Sequence, residues 1–186
     1  MGLITIIVIA VALAMDTFAV SVVSGSAYKH LQIKHIFRMA AFFGGFQAIM
    51  PLIGSLAGIT VKRYLENYDH WVAFALLSAV GLKMLYESFK IAPAKQIFNP
   101  SNILILLVLS VATSIDALVV GITLSFLKVS IAVAVVIIGL VTFLLSYLGV
   151  FIGKKIGHFF ESKIEAAAGL LLFALGLKIL LQHLFF

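Results

Sequence analysis

Six apolar runs, at residues 3–24, 36–61, 70–89, 102–126, 130–156 and 164–184, take up almost the whole of a 186-residue chain. About 20 apolar residues cross the hydrocarbon core of a bilayer as a helix, so each run is long enough to span it. No water reaches that core to bond exposed N–H and C=O groups, so only helices and closed barrels satisfy their backbones there. Runs this long and this continuously apolar select helices. The chain therefore reads as an all-α integral membrane protein of six transmembrane helices, with polar breaks too short to hold a soluble domain. A mean hydropathy of +1.23 and a charged fraction of 11% agree, because soluble domains carry about 25% charged residues.

Against this background two acidic residues stand out. Asp16 and Asp116 sit inside the first and fourth runs, one hundred positions apart, in a chain with only seven acidic residues. A carboxylate near the bilayer centre costs about 2.5–3.5 kcal/mol on insertion scales, and such residues usually mark ion or proton pathways. The small residues Ala12-Leu13-Ala14 resemble a signal-peptide cleavage site. No basic segment precedes them, however, and the Asp-containing string recurs in the fourth span, so the first run is expected to remain in the protein.

The recurrence extends along the chain. Leu76-Leu77-Ser78-Ala79-Val80-Gly81-Leu82-Lys83-Met84-Leu85 matches Leu171-Leu172-Phe173-Ala174-Leu175-Gly176-Leu177-Lys178-Ile179-Leu180 at seven of ten positions. Pro51-Leu52-Ile53-Gly54 aligns with Val150-Phe151-Ile152-Gly153, and Gly58 then falls on Gly157. Each half is thus one three-helix unit: residues 1–92, an inter-repeat loop at 93–101 carrying Pro93 and Pro100, and residues 102–186, together one structural domain. An odd number of spans leaves the second unit upside down. Inverted repeats place substrate sites near the midplane between the halves, where exchange of conformations gives alternating access.

Eight basic residues (Lys29, Lys34, Arg38, Lys90, Lys95, Lys154, Lys155 and Lys163) lie in the first, third and fifth loops, against three (Lys62, Arg63 and Lys128) in the others. The positive-inside rule then puts the odd loops in the cytoplasm and both termini outside. The net charge of +6 is accounted for by topology and lipid headgroups, so no nucleic-acid partner is expected. Lys83 and Lys178 are read as snorkelling side chains, Lys83 also being able to pair with Glu87 at i+4.

Hydroxyls accompany both carboxylates. Asp16, Thr17, Ser21 and Ser24 share one sector of the first helix, and Ser110, Thr113, Asp116 and Thr123 share another on the fourth. Any one of these hydroxyls is more simply read as bonding its own backbone. Oxygen donors suit hard or borderline divalent cations such as Mn²⁺, Mg²⁺ and Ca²⁺. The chain has no Cys, and its five histidines, His30, His35, His70, His158 and His183, fall in loops or at span ends. Met15 beside Asp16 is read as packing. Gln47 offers a carbonyl one turn before Pro51, whose missing N–H can leave a backbone carbonyl for a cavity. The metal ligands expected are Asp16, Asp116, Gln47, Thr17 and Thr113. Gly54-x3-Gly58 and Gly149-x3-Gly153-x3-Gly157 are close-approach seams, expected either between the second and fifth helices or in a homodimer. No Gly-x-Ser-x-Gly, His-Glu-x-x-His or phosphate-loop motif is present, so enzyme activity is not expected.

The strings Met15-Asp16-Thr17-Phe18-Ala19-Val20-Ser21, Phe43-Gly44-Gly45-Phe46-Gln47-Ala48 through Pro51-Leu52-Ile53-Gly54, and Ala112-Thr113-Ser114-Ile115-Asp116-Ala117 resemble those of MntP-type bacterial manganese efflux pumps, in a lysine-exporter-like superfamily. The resemblance covers essentially the whole chain. It implies export of Mn²⁺ across the bacterial inner membrane, with Mn²⁺ as transported substrate and no cofactor. Periodicity and spacing alone reach only an inverted-repeat cation transporter. A carboxylate pair that binds metal can exchange it for protons, so a proton counter-ion is expected. Export of another divalent cation or of a small amino acid, and a membrane scaffold that transports nothing, are the alternatives.

Overall fold

The computed structural model describes residues 2–28, 32–65, 71, 74–76, 78–80, 82–83, 86, 102–127 and 129–156. These residues contain helices and connecting turns but no strand. The helices are α1 (Leu3–Ala27), α2 (Ile33–Leu65), α3 (Ile103–Thr113), α4 (Ile115–Phe126) and α5 (Ile131–Ile156). Four stretches are long and apolar enough to cross a membrane: Leu3–Ser26, Ile33–Thr60, Ile103–Phe126 and Ile131–Lys155. They coincide with the first, second, fourth and fifth expected spans. Of the third span, residues 71, 74–76, 78–80, 82–83 and 86 are helical. The sixth lies outside the described residues.

The fourth span departs from the continuous helix expected from the sequence. It breaks at Ser114, whose backbone (φ −107°, ψ 6°) separates α3 from α4. The cause is local competition for carbonyls. Thr113 Oγ1 donates to the carbonyl of Leu109 (2.9 Å), and Ser114 Oγ donates to that of Ser110 (2.6 Å). The Ser114 N–H turns to Val111, only three residues back. Side chains that bond the preceding turn bend or interrupt helices in this way, and the break puts Asp116 in the first turn of α4.

Among the described residues, two parallel pairs and one antiparallel crossing organise the helices. Ile6, Ile9, Ala10 and Leu13 at the start of α1 cluster with Ala134 and Ile138 at the start of α5. Farther along, Phe18 and Val22 meet Gly149 and Gly153, so α1 and α5 run the same way. On α2, Pro51 lies against Gly121, and Gly58 lies against Ile122 and Ser125, which makes α2 and α4 parallel as well. Between the pairs, α2 crosses α5 in the opposite sense, with Phe37 edge-on to Phe143 at 5.5 Å and Ala48 against Gly139.

Glycine makes the parallel crossings possible. A Cβ at Gly54 would run into the carbonyl of Leu118, and one at Gly153 into the carbonyl of Val22. This corrects the expected partners of the two seams. Gly54 and Gly58 face α4, and Gly149 and Gly153 face α1, so these surfaces are consumed inside the chain and are not open to a homodimer. The α2–α5 crossing uses Gly44, Gly139 and Ala48 instead. Outside, Ile4, Leu52, Leu56, Leu104, Val136 and Leu140 are all exposed, an apolar exterior suited to lipid and unsuited to water.

Candidate cation site

Asp116 enters the interior because α4 starts beside it. Its carboxylate is 3% exposed, and Oδ1 accepts from the Ala117 N–H at 2.7 Å. A helix N-terminus carries partial positive charge, which favours an anion in its first turn. The other oxygen, Oδ2, is buried with no hydrogen-bond partner among the described residues. Asp16 is half-buried on the continuous helix α1. The two carboxylates lie within electrostatic reach of each other as like charges, and Lys83 acts on Asp116 as the opposite charge.

Gln47 joins this layer from α2. It is fully buried, and its Nε2 donates to the backbone carbonyl of Leu13 at 3.0 Å. Its Oε1 has no hydrogen-bond partner among the described residues. Pro51, four residues on and inside α2, has no N–H to offer the backbone carbonyl of Gln47. Because Pro51 packs on Gly121 in a parallel pair, the turn below it holds Gln47 on α2 and the Asp116 region on α4. Gln47 thus combines an unpartnered side-chain oxygen with a backbone carbonyl to which residue 51 cannot donate.

The two threonines behave differently. Thr17 is fully buried and donates to the carbonyl of Ala14 at 2.9 Å. Thr113 is half-buried and donates to that of Leu109. Each hydroxyl proton is engaged within its own span, leaving only oxygen lone pairs for an ion. Ser21, Ser110 and Ser114 donate backward in the same manner. Sequence reasoning assigned no role to Thr142 or Ser146; both are fully buried on α5 with hydroxyls that have no hydrogen-bond partner among the described residues. A signal was available: the offset of 95 that sets Gly44 on Gly139, Gly54 on Gly149 and Gly58 on Gly153 also sets Gln47 on Thr142. Among the described residues no three His, Cys, Asp or Glu side chains gather as a metal cluster. The chemistry on offer is two carboxylates with neutral oxygens around them.

A family model described as "Putative manganese efflux pump" matches residues 30–180. The chain belongs to the MntP manganese efflux pump family. Similar proteins bearing the MntP name come from Crocosphaera subtropica, 47% identical over 99% of this chain and 98% of that protein, and from Desulfitobacterium hafniense, 47% identical over 100% and 98%. An archaeal MntP protein, from Methanosarcina mazei, is 44% identical over 99% and 98%. No solved structure matches the chain. Membership in the MntP family and the apolar helices make this a multi-pass membrane protein of a transporter family.

Proposed function

We propose that the protein exports Mn²⁺ from the cytoplasm, with Asp16 and Asp116 binding the ion together and Gln47 supplying carbonyl oxygen. The observation that carries this reading is the pair of unpartnered, buried oxygens, Asp116 Oδ2 and Gln47 Oε1, on two helices that pack directly against each other. Unsatisfied buried polar atoms cost about 1–3 kcal/mol each, and a divalent cation would offset that cost while balancing the two negative charges. Carboxylate and carbonyl donors fit a hard or borderline ion. Thr17 and Thr113 act as peripheral donors through their lone pairs.

Alternating access between two inverted three-helix halves, residues 1–92 and 102–186 joined by 93–101, is the transport cycle proposed. The helix directions support it. Inversion requires the first and fifth spans, and likewise the second and fourth, to run parallel, and these are the pairs that pack together. The approaches of Gly54 and Gly58 to the carbonyls of Leu118 and Ile122 recur in those of Gly149 and Gly153 to the carbonyls of Phe18 and Val22, at offsets of 95 and 100 residues, as exchange of the halves demands. Carboxylates that release metal can take up protons, so inward proton movement accompanies outward Mn²⁺. The setting is the bacterial inner membrane with both termini outside. The deciding experiment is Mn²⁺ transport in proteoliposomes with and without an imposed pH gradient, for the wild type and for Asp16→Asn and Asp116→Asn; wild-type transport independent of both aspartates overturns the reading.

A further inference from the structure

Thr142 and Ser146 have no part in the site so far, yet both are 0% exposed. Neither hydroxyl has a hydrogen-bond partner among the described residues. This sets them apart from Thr17, Ser21, Ser110 and Ser114, each of which donates to a carbonyl three or four residues back. A helix offers that bond to every serine and threonine. Two buried hydroxyls one turn apart that do not take it each carry an unmade bond worth about 1–3 kcal/mol.

Their position follows from the helix. At 100° per residue, Gly139, Thr142, Ser146, Gly149 and Gly153 fall within an arc of about 80° on α5. Gly139 abuts Gly44 and Ala48 of α2, whereas Gly149 abuts Phe18 and Ser21 of α1. Thr142 and Ser146 lie on the stripe between its crossing with α2 and its crossing with α1, the two helices that Gln47 links by bonding Leu13, one turn from Asp16. Thr142 stands on α5 where Gln47 stands on α2, at the offset of 95 that also relates Gly44 to Gly139, Gly54 to Gly149 and Gly58 to Gly153.

We propose that Thr142 and Ser146 form the α5 face of the cation site, and that their hydroxyl oxygens replace waters of the transported divalent ion and so determine its specificity. The proposal rests on the metal-transport reading of Asp16 and Asp116. An all-oxygen site cannot sort cations by softness. What separates the hard divalents is size and the cost of losing water, and Mg²⁺ dehydrates reluctantly. Each protein oxygen that takes the place of a retained water therefore penalises Mg²⁺ more than Mn²⁺. A hydroxyl does this without adding negative charge to a site that already holds two carboxylates.

The test is Mn²⁺ transport into proteoliposomes against increasing Mg²⁺, for the wild type, Ser146→Ala, Thr142→Val and the double variant. Thermal unfolding of each metal-free protein in detergent is measured alongside. The expected result is a tenfold or greater loss of preference for Mn²⁺ over Mg²⁺ in the double variant, with an unfolding temperature unchanged or raised because unpaired buried hydroxyls are gone. A preference within twofold of wild type overturns the assignment. So does a lowered metal-free unfolding temperature with equal loss of transport for both ions, which is the mark of a structural role. Asp16→Asn and Asp116→Asn proteins, run beside the wild type, overturn the transport reading itself if they still transport Mn²⁺, an outcome visible before any hydroxyl variant is compared.

Discussion

The Nε2 of Gln47 on α2 donates to the main-chain carbonyl of Leu13 on α1 at 3.0 Å. This bond crosses between helices and orients the amide. With the nitrogen held by Leu13, Oε1 points elsewhere in the buried layer, where it has no partner among the described residues. Gln47→Leu removes the bond and the carbonyl together. Apparent Mn²⁺ affinity is expected to fall about tenfold, equivalent to about 1.4 kcal/mol, measured by metal-dependent thermal shift. Gln47→Glu keeps an oxygen ligand but adds a third negative charge, and should bind Mn²⁺ more tightly while slowing its release.

Removal of either carboxylate should abolish the stabilisation that metal confers. A ligand that binds only the folded state at one hundred times its dissociation constant stabilises by about 2.7 kcal/mol. The wild type should therefore unfold at higher temperature as Mn²⁺ is titrated, whereas Asp16→Asn and Asp116→Asn should not respond at the same concentrations. A Mn²⁺ shift that survives in both variants would locate the ion elsewhere.

Pro51→Ala separates stability from transport. An internal proline costs a helix about 3 kcal/mol, and alanine restores an N–H for the carbonyl of Gln47. The variant is expected to unfold at a higher temperature and to transport Mn²⁺ at least fivefold more slowly, because a backbone oxygen at the site is withdrawn. Equal transport rates would assign Pro51 to the shape of α2 alone.

Glycines at the crossings and away from them should respond in opposite ways. Gly54→Ala and Gly153→Ala drive a methyl into the carbonyls of Leu118 and Val22, backbone atoms that cannot move aside without the whole helix. Overpacking of this kind costs about 1–3 kcal/mol. Gly45 has nothing within 4 Å of an added Cβ, so Gly45→Ala should be neutral or gain about 0.5–1 kcal/mol from lower backbone entropy in the unfolded chain. Unfolding in detergent, followed by circular dichroism, distinguishes the two classes.

Much of this protein is written in its one-dimensional pattern. Run length alone locates the first, second, fourth and fifth spans, because the thickness of a bilayer sets how many apolar residues must follow one another. Asp16 and Asp116 stand out in the sequence for a related reason: a carboxylate is costly in hydrocarbon and singles itself out as a candidate for a site. Tertiary structure alone decided the rest. Gly54 and Gly153 advertise a close approach, but nothing in a small-residue spacing says which helix approaches; chain direction decided that in favour of α4 and α1. The break at Ser114 arises from hydroxyls of Thr113 and Ser114 choosing among nearby carbonyls, a contest of rotamers that composition cannot express. The unpartnered oxygens of Gln47, Asp116, Thr142 and Ser146 are likewise a property of neighbours. A sequence states which polar groups enter the membrane, and only packing determines which of them are left without a partner once every helix has taken its place.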